Sequence, residues 1–317
     1  MATIAEQLTS LANTKTAIKD AIVAKGVAIA DTDPFSAYAT KIGEISGGGA
    51  PETLYGATIG MVLGHELVGD LSFDGVTDAS LYRFYGKFAN ESGVTFRSAP
   101  VTVSFPDLET VSSAGLAYMF FIAAYSGAYE GYEGNVTFLF PKLKSIDALG
   151  LQYFMGGVTA GCGNLVSSLQ MPLLESITGS SACDSAFYAN SSQRCLLTEV
   201  EFPSLTTIDG SRACEDMFHN QTALQTVAFP VLATINGSNA CSKMLSGCTS
   251  LTTISFPALT SIASGAFGSS SMAYIFYGCT ALAEIHFRAD MRATIEATKG
   301  YANKWGAPET CTIYFDL

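Results

Sequence analysis

Apolar residues recur along this chain in a fixed frame around a series of prolines. The clearest copy reads L-x-x-I-x-F-P-x-L-x-x-I, from Leu251 to Ile262. Six copies lie 35, 31, 31, 27 and 27 residues apart, marked by Pro106, Pro141, Pro172, Pro203, Pro230 and Pro257. A seventh copy, Leu282 to Arg288, has arginine in place of proline. Self-similarity at this period predicts a solenoid, because one repeat cannot bury its own apolar face and must stack on a neighbour.

Four positions of the frame are apolar in all six copies. Counted from the proline they are positions −3, −1, +2 and +5, as in Val227, Phe229, Leu232 and Ile235 around Pro230. The segment before the proline alternates apolar and polar residues, which predicts a short strand. Proline ends this strand because it has no N–H to donate to a sheet. We therefore expect four apolar columns that run up the core of the stack.

A second phrase follows in the three middle repeats: Ile177–Cys183, Ile208–Cys214 and Ile235–Cys241. Its glycines predict a turn with an unusual backbone conformation, at Gly179, Gly210 and Gly237. The residues after each cysteine, such as Asp184–Ala189 and Glu215–His219, are predicted to form one or two helical turns. Each coil then contains a strand and a helical piece, which makes the fold an α+β repeat.

The repeat resembles a known family in its wording. Between Ile254 and Leu282 the chain reads I-x-F-P, L-T-S-I, G-A-F at Gly265–Phe267 and Y-G-C-T-A-L at Tyr277–Leu282. This resembles the BspA-type bacterial leucine-rich repeat over roughly Leu71 to Phe287, although the units here are longer. The resemblance implies a leucine-rich-repeat solenoid of six to seven coils. We place its N-terminal cap and first coil at 57–100, its repeats at 101–287 and its C-terminal cap at 288–317.

The first 45 residues have a different pattern, typical of helices. Apolar residues at spacings of three, four and seven predict an amphipathic helix from Met1 to about Lys25 with a coiled-coil seam. Asp33 as cap and Pro34 at the first helical position predict a second helix. A glycine-rich linker, 46–56, follows. We expect an oligomerisation or docking module whose seam residues are Ile4, Leu8, Leu11, Lys15, Ile18 and Ile22; the alternative is a helix that folds back and caps the solenoid.

Both ends of the chain carry a second resemblance. Leu8–Val27 followed by Asp33–Ile42 looks like the N-terminal module of tail and baseplate-associated proteins from phages of Firmicutes and gut bacteria. The closing segment, Tyr301–Leu317, is similar to the end of the same class of proteins. The resemblance implies a virion protein that is assembled in the host bacterial cytoplasm, contacts other tail or baseplate proteins and forms a homotrimer.

Composition limits the other functions. A net charge of −12 argues against a nucleic-acid partner, which requires a basic face. No signal peptide is visible at Met1, and the longest apolar run, Leu116–Tyr125, is about half a membrane span, so we expect no membrane span. The cysteines of the second phrase share one column, which predicts buried small hydrophobic residues in preference to disulfides: Cys183, Cys214 and Cys241.

The chain contains no recognisable catalytic or metal-binding motif. His65-Glu66 lacks the second histidine of a zinc-protease motif, and no C-x-x-C, G-x-S-x-G or P-loop sequence occurs. Glu199 and Glu201 would share one strand face, where a solvated strand edge is a simpler interpretation than a catalytic pair. We therefore expect no enzyme activity, no cofactor and no metal.

Aromatic residues in the longest repeats are the candidates for binding. The repeat after Pro106 contains an insertion rich in tyrosine, serine and glycine, a composition typical of adaptable binding surfaces. Insertions of repeat proteins tend to lie on one face, often the binding face. The candidates are Tyr125, Tyr129, Tyr132, Tyr274 and Tyr277. The alternative, that rings fill a wider coil, is preferred for Phe120, Phe121 and Phe276 and stays open for the insertion tyrosines.

Together these observations predict a phage virion structural protein that presents a leucine-rich-repeat surface to a host polysaccharide or surface protein. A bacterial BspA-like adhesion protein is the main alternative, and a secretion signal or wall anchor would favour it. A carbohydrate-active solenoid enzyme is the second alternative, and acidic clusters on the repeated strands would favour it.

Overall fold

The computed structural model describes residues 4–23, 28–30, 32–34, 38, 62–63, 66–67, 70–79, 95–96, 101–119, 136–157, 160–161, 166–189 and 195–317. The chain divides into two compact units, Met1–Gly56 and Ala57–Leu317. The second unit is a parallel β-solenoid of about six turns, so the predicted stack of coils is confirmed.

The first unit contains one long helix, α1, from Ile4 to Val23. Ile22 packs with Ile29 and Tyr38 in a small core, and Ile18 lies partly buried against it. Lys15 lies on the same side, where its Nζ donates to the Asp33 carbonyl at 2.8 Å and sits 5.5 Å from the centre of the Tyr38 ring. The predicted first helix is confirmed. Of the predicted second helix, Asp33, Pro34 and Tyr38 fall within the described residues, and the linker lies outside them.

Each coil of the second unit contributes two strands. We call the strands that end just before the marker prolines, or lie in the same register, front strands. They are β3 (Leu71–Ser72), β5 (Val101–Ser104), β7 (Val136–Leu139), β11 (Val166–Gln170), β13 (Glu199–Glu201), β15 (Thr226–Ala228), β17 (Thr253–Phe256), β19 (Glu284–Phe287) and β20 (Thr312–Phe315). Rear strands contain position +5. They are β6 (Thr110–Val111), β8 (Ser145–Ile146), β12 (Ser176–Thr178), β14 (Thr207–Asp209), β16 (Thr234–Asn236) and β18 (Ser261–Ile262).

The two strand faces differ in continuity. The rear strands form one parallel six-stranded sheet in the order β18-β16-β14-β12-β8-β6. The front strands form three separate parallel sheets: β11-β7-β5-β3, β13-β15 and β17-β19-β20. Shorter strands complete the described set: β1 (Val62–Leu63), β2 (Glu66–Leu67) and β4 (Thr95–Phe96) in one sheet, and β9 (Gly156–Gly157) with β10 (Ala160–Gly161) as an antiparallel pair.

The four predicted columns form the core. Every residue at positions −3, −1, +2 and +5 of the six copies is buried, with no side chain above 9% exposure. Partners in adjacent rear strands share one register, so that Ile177, Ile208 and Ile235 stand directly above one another. Rings at position −1 stack nearly parallel: Phe202 lies 5.6 Å from Phe229, and Phe229 lies 6.0 Å from Phe256. The core therefore runs unbroken through the coils, as the sequence predicts.

The predicted helical turns after the cysteines are wrong. Asp184–Ala189 and Glu215–His219 form a third side of the coil, which we call the turn ladder. Alternate amides there donate to the next coil, as Cys183 N does to the Ala213 carbonyl at 2.7 Å, and the intervening amides donate three residues back. This pattern needs left-handed backbone every four residues, at Ser181, Arg212 and Asn239 and again at Ser185, Asp216 and Lys243. An α-helix cannot make these bonds between coils, because its amides all bond within the helix.

Glycine occupies the corner between the rear sheet and the turn ladder for a steric reason. Gly179, Gly210 and Gly237 all have positive φ, and a Cβ at Gly210 would lie 2.1 Å from the carbonyl oxygen of Gly179. The predicted unusual turn is confirmed. The cysteine column next to it consists of free, fully buried thiols at Cys183, Cys214 and Cys241. Burial raises the pKa of Cys241, so this thiol stays protonated.

The last coil is held by its aromatic and charged residues. Trp305 is fully buried, with its ring edge-on to Phe267 at 5.4 Å and to Phe287 at 5.9 Å. A short helix, α2 (Arg292–Glu296), follows β19, together with 3₁₀ turns at Ala289–Met291 and Tyr301–Gly306. A further 3₁₀ turn, Ser271–Ala273, precedes β19. On the front face, His286 of β19 stacks on Tyr314 of β20 at 4.8 Å.

Candidate functional site

In three coils the residues that lengthen the repeat fall, in sequence, between the turn ladder and the front strand. Met119, Met155 and Ala189 lie on the turn ladder of the Pro106, Pro141 and Pro172 coils, and the next front strands begin at Val136, Val166 and Glu199. In the shorter coils His219 is followed within seven positions by β15. In these three coils the additional residues therefore belong to one connection, at the corner between the turn ladder and the front strand, and most of them lie outside the described residues. In the Pro257 coil the additional residues instead fall within the turn ladder, because Cys241 N donates to Ala266 and Lys243 N donates to Ala273.

Aromatic rings lie on the turn ladder beside this corner. Tyr118 and Tyr153, from adjacent coils, are 4.9 Å apart with their rings tilted by 45°. Tyr188 of the next coil stacks on His219 at 4.8 Å, with planes only 9° apart. All four side chains are partly exposed. At a coil spacing of about 4.8 Å, rings on four consecutive coils span roughly 14 Å along the stack.

Charged groups lie between these rings. Burial raises the pKa of Asp184, whose carboxylate accepts from Ser185 Oγ at 2.9 Å. Burial also raises the pKa of Glu215, although Arg212 Nε lies 3.2 Å from its Oε2 and favours the charged form. The pKa of Tyr153 rises to about 12, mainly through burial and secondly through the negative charge of Asp184. Shifted pKa values of this kind often mark functional surfaces.

A third carboxylate completes the cluster. The side chain of Asp216 is only 7% exposed, and its Oδ1 lies 2.7 Å from His219 Nδ1. Lys243 Nζ is 3.9 Å from its Oδ2. His219 and Lys243 thus lie beside the buried carboxylate of Asp216, although neither Asp216 Oδ1 nor His219 Nδ1 makes a hydrogen bond of good geometry.

A separate groove lies on the front face, with a volume of about 520 Å³. It lies where β11 and β13 adjoin but belong to different sheets. The register of β11 against β7 shifts between Val166 and Ser168, which leaves Ser167 as an extra residue. A bulge of this kind bends a strand and disrupts its ladder. The bulge and the groove therefore share strand β11, the bulge on the side of β7 and the groove on the side of β13.

Polar side chains surround the groove above an apolar floor. Leu169, Met171 and Val200 are buried beneath it. The polar residues that line it are Ser168, Gln170, Glu199, Glu201 and Thr226. Glu199 and Glu201 are both exposed and flank Val200 on β13. The sequence interpretation of these carboxylates as a solvated strand edge describes their exposure but missed the groove.

The predicted binding tyrosines have different positions. Tyr125, Tyr129 and Tyr132 lie outside the described residues, as do Phe120 and Phe121. Tyr274 is 8% exposed and its ring lies under Gly300, whose Cβ would meet Tyr274 Cε1 at 2.7 Å. Tyr277 is 51% exposed, close to Met272 in sequence, which is 72% exposed. Phe276 is fully buried, as the core interpretation predicts.

The predicted seam of α1 divides into two halves. Ile18 and Ile22 pack within the first unit, and Lys15 binds Asp33 in the same unit. Leu8 and Leu11, further towards the N-terminus on the same stripe, are 62% and 58% exposed. For Ile4 the structure describes the helical backbone alone. Part of the apolar stripe is thus used inside the unit, and part of it faces solvent.

The turn-ladder cluster was not found from the sequence, although a signal was present. Gln152, Asp184, Glu215 and Ser242 form one column, each of the last three directly after a core cysteine. Following that column from coil to coil would have brought the two acidic residues together. The helical interpretation of the segment hid this, because it distributes neighbouring residues around an axis rather than stacking them.

Several comparisons bear on function. Among the described residues no group of three or more histidine, cysteine, aspartate or glutamate side chains could hold a metal ion. Within the same part of the chain, no helix has the length and apolar character needed to cross a membrane. A comparison with protein-family models, curated proteins and solved structures finds no match to this chain.

Proposed function

We propose that this chain is a structural protein of a phage tail or baseplate that uses its solenoid to recognise the host surface. The solenoid is of the leucine-rich-repeat type in this proposal. The observation that carries it is the row of partly exposed rings on consecutive coils, Tyr118, Tyr153 and Tyr188, in coils whose sequences are longer than those that follow. A rigid stack of coils that carries a row of partly exposed rings is suited to presenting a binding surface.

The first unit attaches the protein to the rest of the virion in this proposal. The exposed apolar residues Leu8 and Leu11 lie on a helix whose later stripe residues, Ile18 and Ile22, are packed within the first unit. Uncovered apolar side chains on a helix favour contact with another helix. Association into a homotrimer through this surface, or docking on another tail protein, would cover them. The host receptor is a surface polysaccharide or protein.

Attachment to bacterial cells tests the recognition role. The full chain carries a fluorescent label and is incubated with a panel of Firmicutes and gut bacteria. Changing Tyr125, Tyr129 and Tyr132 together to serine is expected to leave the melting temperature almost unchanged and to weaken attachment about tenfold or more, since amphipathic rings supply much of the contact energy of such surfaces. The matched control changes Thr110, Thr207 and Thr234 of the rear sheet to serine.

Three outcomes separate the possibilities. Weaker attachment of the tyrosine variant with unchanged control supports the proposal. Full attachment of both variants, with a lower melting temperature for the tyrosine variant, assigns those rings to the core and excludes the corner as the binding surface. Attachment to no strain in the panel contradicts host recognition itself.

A further inference from the structure

The front-face groove offers several polar side chains that make no bond within the described part of the chain. Ser168, Gln170, Glu199, Glu201 and Thr226 line it, and none of them has a side-chain hydrogen bond or ion pair there. Their floor is apolar and buried, formed by Leu169, Met171 and Val200. A concave surface with an apolar floor and a few convergent polar groups is the usual form of a ligand site, and about 520 Å³ falls within the usual size range.

The charge of the groove selects the ligand. Among the described residues, two carboxylates line the groove and no lysine or arginine does. The chain as a whole carries a net charge of −12, so no general positive field opposes a cation. A cationic ligand would gain attraction from both carboxylates, whereas an anionic one would be repelled.

The spacing of the carboxylates selects the shape of that ligand. Glu199 and Glu201 are alternate residues of β13, and alternate side chains of a strand are about 6.6 Å apart on one face. An extended peptide presents its own alternate side chains at the same repeat. Ser168 and Gln170 on β11 repeat this spacing across the groove. Two successive cations of an extended chain can therefore meet both carboxylates without distortion.

We propose that the front-face groove binds an extended polypeptide segment with lysine or arginine at alternate positions. Glu199 and Glu201 pair with two successive cations, Gln170 and Thr226 offer hydrogen bonds to the peptide backbone, and the aliphatic stems of the cationic side chains lie over the apolar floor. Such a segment belongs to a partner protein, because this mode reads the regular repeat of a peptide backbone.

Binding of synthetic peptides to the full chain tests this assignment. The probe is a short peptide in which lysine and threonine alternate, and its isomer has the same residues with the lysines contiguous. Isothermal titration at low ionic strength is expected to give tighter binding for the alternating peptide. Glu199→Gln with Glu201→Gln is expected to weaken it about tenfold, which corresponds to two partly exposed ion pairs.

A matched control removes the same charge from the rear face. Glu175→Gln with Asp209→Asn changes two exposed carboxylates that also have no ion-pair partner in the described residues. This variant is expected to bind the alternating peptide within about twofold of the unchanged chain. Melting temperatures of both double variants show that the fold is retained.

Equal weakening in the two double variants would mean attraction to net charge alone and would overturn the site. Equal binding of the two peptide isomers would overturn the match of spacings. A glucosamine oligomer that binds in a manner dependent on Glu199 and Glu201, where the peptide does not, would assign the groove to a cationic saccharide instead. None of these results depends on attachment to host cells, so the inference and the proposed function can fail independently.

Discussion

The front and rear faces of the solenoid are built from the same repeat but differ in continuity. The rear sheet passes through six strands, whereas the front face is divided into three sheets. Rear strands follow the marker proline at a fixed distance, as Ile208 and Ile235 follow Pro203 and Pro230 by five residues. Front strands follow the variable insertions. The front face is also where a bulge occurs, at Ser167 of β11.

The difference shows that side-chain packing and backbone pairing are separate properties of this fold. Position −1 is buried on both sides of the interruption, at Met171 and Phe202, although β11 and β13 belong to different sheets. The second interruption, between β15 and β17, falls between coils of equal length, so coil length is not its cause. The apolar columns continue from coil to coil even where no hydrogen-bond ladder joins the front strands.

The largest expected effect tests whether the two faces belong to one cooperative unit. Phe229→Ala on the front side should cost about 3–5 kcal/mol and Ile235→Ala on the rear side about 2–5 kcal/mol, because both remove fully buried groups. Denaturant unfolding followed by circular dichroism and by tryptophan fluorescence should show one coincident transition for each variant. A melt that overlays the parent would exclude that residue from the core, and two transitions for Phe229→Ala would show that the front interruption divides the stack.

A smaller effect is expected at the corner that keeps the rear face continuous. Gly210→Ala places a Cβ 2.1 Å from the Gly179 carbonyl oxygen at a φ of 137°, so we expect a loss of about 3 kcal/mol. Gly265→Ala is the matched control, because nothing lies within 4 Å of its Cβ and its φ is not positive. Chemical denaturation measures both; a Gly210→Ala protein as stable as the control would contradict the glycine stack.

The smallest expected effect on stability concerns His286 in the last front sheet, β17-β19-β20. His286 Nδ1 lies 2.9 Å from Asp316 Oδ1, and its Nε2 lies 3.3 Å from Glu284 Oε2. Burial opposes the charged ring, but these two hydrogen bonds outweigh it and raise the pKa of His286 above 6.5. The stabilisation is therefore complete below the unfolded pKa and is lost as the pH rises through the folded value.

The stability difference between the parent and His286→Gln should accordingly shrink from pH 5 to pH 8. Melting temperatures at several pH values measure this stability difference. Lys144→Gln is the control, because it removes an exposed ion pair with Glu109 that lies outside the last front sheet. A difference that stays constant over this range would exclude a charged His286 in the folded chain.

The sequence predicted the columns of the core and the glycine corner, because these depend on residue type at a fixed spacing. It failed on the turn ladder for an identifiable reason. Ala182, Cys183, Ala186 and Phe187 are all buried at spacings that an amphipathic helix also shows. The turn ladder differs from a helix in the left-handed backbone of residues such as Ser181 and Ser185. Serine does not require that conformation, so the residue type did not reveal it. No local sequence pattern marks the bulge at Ser167 or the break between β11 and β13, so the groove could not be predicted from the sequence.

The interrupted front face also has a mechanical consequence. Where β11 meets β13, neighbouring coils are joined by the rear sheet and the turn ladder, without a front ladder between these two strands. A load applied across the stack therefore meets unequal resistance: the rear side is stiff in tension, and the front side opens more easily at this level. The solenoid should therefore bend preferentially in the direction that opens its front side. A peptide segment bound in the front groove would make the solenoid stiffer.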